Sequence, residues 1–340
     1  MPTKKPQIKQ VEPVAAIPGG EFQIRGAGLA GADRPRVLFG DTVAPILVGS
    51  DTLVIARVPE GPLMGPMVVE ADSERSSPWM CEIGIQVADG LHPVGNPAVD
   101  SFGNVVTTFS GSRGQKTPVS VYRIDPSMNM KPLLSDLMNA SGLAFDREGL
   151  LYVSSRFEGI VYQVTNKGEM TVHVEGMGVA TGIAFDADEN LYVGDRHGTI
   201  FKISPTRQIY VFATIEQSIS AYHLAFGPDG FLYVSGPTTS SFDSIYRVSH
   251  AGDVETFYRG LGRPQGMAFD TDGRMYVAAS MGGRRGIVRI DSAAKAEMFV
   301  SGPNIVGLAF GPGGYLYITT TGALYRLNSG ALGAPMPNLA

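Results

Sequence analysis

The residues of this chain that can bind or transfer charge fall into two sets, both placed around a recurring apolar phrase. The first set stands just ahead of that phrase and comprises Asn96, Ser141, Thr181, His223, Gln265 and Val306. Asn96, His223 and Gln265 are its candidate metal ligands. Two amides and an imidazole suit a softer divalent ion better than calcium or magnesium, which want carboxylate oxygen. The second set follows the phrase and is rich in arginine: Arg113, Arg156, Arg196, Arg284 and Arg285, with Asp195 and His197 beside Arg196. Guanidinium groups hold carboxylates and phosphates in forked geometry, and against an acidic whole a positive patch focuses anions. Asp195 and His197 have the composition of an acid–base pair. Residues two apart on a loop need not face each other, however, and an Asp at such a site commonly accepts loop amides instead. For the arginines the competing reading is pairing with Glu158, Asp195 or Asp243, and for His223 a hydrogen bond to a neighbouring strand.

The elements that must position these residues come from a repeat. SGLAFDREGLLYV, from Ser141, returns as TGIAFDADENLYV from Thr181, HLAFGPDGFLYV from His223, QGMAFDTDGRMYV from Gln265 and VGLAFGPGGYLYI from Val306, with a divergent first copy, NPAVDSFGNVVTT, from Asn96. With Asp100, Asp146, Asp186, Gly227, Asp270 and Gly311 as markers, the intervals are 46, 40, 41, 43 and 41 residues. A period near forty with strand-like content marks a propeller or solenoid. Each copy continues into a third strand, as in IVYQV from Ile160 and SIYRV from Ser244, and a weaker fourth, as in Met170 to Val174. Four strands per repeat make a propeller blade. The last copy lacks a fourth strand, because NSGALGAPMPNLA opposes pairing; Ile83–Val87, just before the first copy, is expected to close that edge. The connection into each first strand and the one from second to third strand then emerge on one face, which gathers both sets of residues. The Asp markers are expected to be turn formers on the opposite face.

Length and composition agree with an all-β chain. It has 340 residues, 44% of them hydrophobic, with 43 Gly and 23 Pro, which favours many short strands joined by turns. Net charge is −5 with no basic run, which argues against nucleic acid as a partner. The single cysteine, Cys81, excludes an intrachain disulfide and a four-thiolate or two-Cys, two-His zinc site. Polar residues interrupt any signal-type apolar stretch near the N-terminus, and no apolar run reaches membrane-spanning length. The expectation is a cytoplasmic protein without membrane insertion, or a secreted one if a leader was removed.

Residues 1–80 lack the repeat and read as short strands, at Glu21 to Arg25, Arg36 to Phe39, Thr52 to Val58 and Gly65 to Glu70. The glycines of Gly26-Ala-Gly28-Leu-Ala-Gly31 spell a dinucleotide fingerprint, but the strand-like VLF that soon follows leaves no helix to hold a pyrophosphate, so they read as a turn. The phrases PGGEFQIRGAGL, PRVLFG and LVIARVPEG resemble an IPT/TIG domain, which implies a small immunoglobulin-like β-sandwich. Residues 81–330 resemble NHL-type propellers and the senescence marker protein/gluconolactonase and strictosidine synthase-like group, which implies a six-bladed β-propeller, followed by a tail at 331–340. In the gluconolactonase family a Glu, two Asn and an Asp hold a divalent cation in the channel. At the matched positions here only Asn96 is a family-like amide and no carboxylate remains.

Two functions follow as expectations. One is a binding propeller whose ligand is small and polar or anionic, or is a protein or peptide partner. The other is a metal-dependent hydrolase of lactones or related esters. No cofactor is implied beyond that possible divalent metal.

Overall fold

The computed structural model describes residues 5–61, 63 and 65–334. By their contacts these fall into two units, one holding the residues up to Ile85 together with 284–287 and 297–304, the other holding the rest. Apart from one short 3-10 turn at Pro312–Gly314, the described elements are strands. No helix among the described residues is long and apolar enough to cross a membrane.

The N-terminal unit contains two antiparallel four-stranded sheets. One runs Gln7–Glu12, Glu21–Ala27, Leu53–Arg57, Ile46–Gly49; the other runs Thr42–Ala44, Arg36–Phe39, Met67–Ala71, Glu74–Arg75. Alternation sends Phe22, Ile24, Val54 and Ala56 from the first sheet and Val37, Phe39, Met67 and Val69 from the second into one core. Burying a side chain such as Phe22 contributes on the order of 2 kcal/mol. Gly26 lies in the strand Glu21–Ala27 and the glycines at 28 and 31 in the connection after it, Gly28 with φ of +65°, and a strand rather than a helix follows them. Gln7–Glu12 is a strand whose sequence hides it, because only Val11 of its polar QIKQVE is buried. Ala15–Ala16 forms a short parallel ladder with Val300–Ser301 and with Glu82–Ile83 inside this unit.

The second unit carries the repeats. The first four sheets run Ala98–Val99, Val105–Thr108, Val121–Ile124, Met130–Leu134; Ala140–Phe145, Leu151–Ser155, Ile160–Val164, Met170–Val174; Ala180–Phe185, Leu191–Asp195, Thr199–Ile203, Ile209–Thr214; and His223–Phe226, Leu232–Ser235, Asp243–Val248, Val254–Leu261. The fifth has Met267–Phe269, Met275–Met281, Arg284–Ile290 and Ala296–Ser301, of which 284–287 and 297–301 are counted with the N-terminal unit. The sixth has Ile305–Phe310, Tyr315–Thr320 and Leu324–Asn328, and its outer strand is Ile85–Ala88. The sequence places that strand at Ile83–Val87; here Glu82–Ile83 belongs instead to the ladder with Ala15–Ala16. First strands from all six sheets line one cavity, so the sheets are the blades of a propeller.

The repeated phrase explains the seams between blades. At four seams the Tyr of the second strand meets the Phe of the next first strand, with centroids 4.9 Å apart for Tyr152–Phe185, 5.1 Å for Tyr192–Phe226, 4.9 Å for Tyr233–Phe269 and 5.2 Å for Tyr276–Phe310. A hydroxyl one turn of the pleat higher clasps the next blade: Ser154 donates to the Thr181 carbonyl, Ser235 to that of Gln265 and Thr319 to that of Gly95. The marker Asp residues are turn formers. Asp186 accepts the Asp188 and Asn190 amides and Asp270 those of Asp272 and Arg274, while the Tyr192 and Tyr276 hydroxyls donate to the same two carboxylates. Asp229 receives the Tyr233 hydroxyl in the fourth blade, where the marker is Gly227 and a Cβ would stand 2.7 Å from the Tyr233 ring.

Candidate functional site

Strand register redraws the first set of candidates. Ala98, Ala144, Ala184, Ala225, Ala268 and Ala309 each face a second-strand partner at the same place in their blades. Two residues ahead of these alanines stand Asn96, Gly142, Gly182, His223, Gly266 and Gly307, and three ahead stand Gly95, Ser141, Thr181, Tyr222, Gln265 and Val306. The set read from sequence therefore merges two adjacent positions, whose side chains point to opposite faces. At the glycine position a side chain is normally excluded, since a Cβ on Gly142 would strike the Thr181 carbonyl and one on Gly182 the Tyr222 carbonyl. Asn96 and His223 are the two exceptions.

Both reach across the channel mouth. Asn96 Nδ2 donates to the Met267 carbonyl at 2.8 Å and its Oδ1 accepts the Leu308 amide at 3.0 Å, tying the first blade to the fifth and sixth. The Asn96 amide also covers Gly266, where a Cβ would collide with it. His223, on the opposite blade, brings its ring against Gly95, so that a Cβ there would lie 3.2 Å from His223 Cε1. The His223 side chain is buried and has no hydrogen-bond partner among the described residues, and desolvation pushes its pKa down to about 4. Behind this mouth lies a cavity of about 230 Å³.

The donors do not fit a divalent cation. Both ends of the Asn96 amide are occupied by backbone, Gln265 does not line the cavity, and no carboxylate does. Among the described residues no three His, Cys, Asp or Glu side chains converge as a metal site. No step is derived through a metal.

Of the second set, the structure brings Arg156 and Arg196 together. Arg156 sits half-buried, with Nη2 reaching Ser110 Oγ at 3.3 Å and the Gly111 carbonyl at 3.4 Å. Burial first, and the nearby Arg196 charge second, push its pKa below the ordinary arginine value. Arg196 is also half-buried, and its Nε is enclosed without a partner. Neither arginine forms an ion pair among the described residues. The acids that would have neutralised them are engaged elsewhere: Glu158 receives the Tyr162 hydroxyl, Asp195 the amides of Val179 and His197, and Asp243 the amides of Thr238 and Arg263. Asp195 combines both roles read for it, because it also holds His197 Nδ1 at 3.0 Å, leaving an imidazole side chain 58% exposed. Arg113 is exposed on the first blade, while half-buried Arg284 and exposed Arg285 belong to the N-terminal unit.

One positioning residue escapes a reading from sequence. Asn139, 2% exposed, accepts the Gly114 amide and donates to the carbonyls of Gly111 and Ser112, fixing the loop on which Arg156 rests. Its signal is weak, an amide two residues before Ser141 that recurs as Asn304 before Val306.

Neither a protein-family model nor a curated protein matches the sequence. Solved structures do match in fold. A gluconolactonase from Xanthomonas campestris shares 15% identity over 94% of this chain and 98% of its own, with a TM-score of 0.60. An auxiliary nutrient binding protein from Bacteroides thetaiotaomicron shares 12% over 96% and 98%, with a TM-score of 0.57. Virginiamycin B lyase from Staphylococcus aureus shares 15% over 96% and 94%, with a TM-score of 0.52. The class defined is an all-β protein with the fold of the gluconolactonase-like six-bladed propellers, and the names of the similar structures do not agree on one function.

Proposed function

We propose that the chain is a binding propeller preceded by an immunoglobulin-like module of the IPT/TIG type, and that its ligand is a small anion, a carboxylate or phosphate free or at the end of a peptide, held by Arg156 and Arg196. The observation that carries this reading is the pair itself: two neighbouring, half-buried guanidinium groups that form no ion pair among the described residues. Partial burial of like charges is unfavourable unless something neutralises them, and a forked anion does so with charge-assisted hydrogen bonds. His197, tethered through Asp195 beside Arg196, leaves Nε2 available as a further donor when protonated. Two sheets sharing one core support the immunoglobulin-like reading of the first module, and one structure of similar fold is named a nutrient binding protein, which is in keeping with a binding role.

Isothermal titration with inorganic phosphate and a panel of small carboxylates tests it. The wild type is expected to bind at least one of them, and Arg156→Ala with Arg196→Ala to weaken that binding by about a hundredfold, the scale of two charge-assisted bonds. Unchanged affinity in the double variant would sink the reading.

A further inference from the structure

The channel cavity is chemically unlike the arginine site. Its wall is the ring of six alanines with Val99, Phe145, Phe185, Phe226, Phe269 and Phe310 behind them, and no Asp, Glu, Lys or Arg side chain lines it. Of its lining residues with polar side chains, Asn96 is bound to backbone and Tyr222 donates its hydroxyl to the Glu216 carbonyl; Ser141 and His223 have no partner among the described residues. At roughly 30 Å³ per molecule, the space would hold on the order of seven waters, each wanting two to four polar partners. Two unpartnered side chains supply few of these partners, and the remainder would have to come from backbone groups of the first strands. An ion is excluded more strongly, because nothing in the wall compensates its charge.

We infer that this cavity is a second binding site, for a small neutral aromatic alcohol of one or two rings, whose ring packs among the alanines and phenylalanines and whose hydroxyl hydrogen-bonds His223. Aromatic walls favour an aromatic guest through edge-to-face contacts. The volume falls below that of a drug-sized site, which limits the guest to one or two rings. The hydroxyl answers the imidazole, which is neutral near pH 7 because burial depresses its pKa, and so offers one acceptor and one donor. His223 is thus placed where four other blades have glycine, at the sole approach of a full-sized polar side chain to the cavity that backbone does not consume.

A matched ligand pair on the full chain tests this: 4-methylphenol against toluene, followed by calorimetry and by the ring resonances of His223. The wild type is expected to bind one 4-methylphenol, three- to tenfold tighter than toluene, the worth of one neutral hydrogen bond. His223→Phe keeps the apolar volume and is expected to bring the two ligands to equal affinity. The His223 resonances should shift with 4-methylphenol and stay in place with inorganic phosphate, a measurement on the wild type that survives any misfolding of the variant. Arg156→Ala with Arg196→Ala should bind 4-methylphenol as the wild type does, which separates this site from the anion site. No saturable binding of either aromatic at millimolar concentration, a preference that persists in His223→Phe, or displacement of 4-methylphenol by phosphate overturns the inference.

Discussion

At the scale of single residues, His223 concentrates the tension in this molecule. A polar ring occupies a place that four other blades give to glycine, it is only 6% exposed, and it has no hydrogen-bond partner among the described residues. Folding therefore holds the imidazole neutral. Its pKa falls from the ordinary 6.5 to about 4 through desolvation alone. The unfolded chain then takes up a proton that the folded chain refuses, between those two values. The stability this residue permits is complete above pH 6.5 and is lost as the pH falls toward 4, by roughly 3 kcal/mol in all. Urea unfolding at pH 7.0 and 4.5 should show the wild type losing about 2 kcal/mol more than His223→Phe over that interval. Equal losses would mean that the ring has found a partner or water and titrates normally.

Among elements, the turn after each first strand shows how one residue type serves at different depths. Asp270 is fully buried and its carboxylate takes the Asp272 and Arg274 amides, Arg274 Nε at 2.7 Å and the Tyr276 hydroxyl at 3.0 Å. Asp291, in the turn between the third and outer strands of the same blade, takes only the amides of Ala293 and Lys295 at the surface. Asp270→Ala takes a buried acceptor away from the Tyr276 phenol, two amides and the Arg274 guanidinium, which keeps Asp272, and is expected to cost about 3 kcal/mol. Asp291→Ala leaves its amides to water and is expected to cost about 1 kcal/mol or less. Chemical denaturation of both variants checks the contrast, and similar losses would deny the buried network its importance. These turns were legible in the sequence because six copies repeat them, and so were the blades. The channel mouth was not, because the markers at Asp100 and Gly227 lie one residue nearer their candidates than the other four do. Aligning the copies on Ala98, Ala144 and their equivalents exposes Asn96 and His223 as replacements of glycine. The pairing state of Arg156 and Arg196 was illegible for a different reason: it depends on where Glu158, Asp195 and Asp243 turn their carboxylates, which no local pattern dictates.

For the molecule as a whole, the sixth blade sets the condition for closure. It has three strands from its own repeat, and the Gly-rich chain after Asn328 turns away, so that Leu332 and Ala334 bond to Thr271 and Phe269 of the fifth blade instead; residues 335–340 lie outside the described chain. The fourth strand comes from Ile85–Ala88, more than two hundred residues earlier in sequence, beside Leu324–Asn328. Val87 and Ala88 also pack against the cluster of Leu91, Val105, Ile124, Tyr317 and Leu324, which joins the sixth blade to the first. A ring closed by a distant strand keeps an unpaired edge on its sixth blade until Ile85–Ala88 docks, so this strand should couple the melting of the blades. Substituting both Gln86 and Val87 by proline tests the coupling. Successive residues of a strand present their amides to opposite sides, so one of the two prolines must remove a ladder bond to the Leu324–Asn328 strand whichever register obtains. The expected loss is about 3 kcal/mol or more, with the channel and the arginine site failing together in ligand titrations. A variant that melts as the wild type does, or that loses only the sixth blade in limited proteolysis while still binding phosphate through Arg156 and Arg196, would show that the ring stands without this strand.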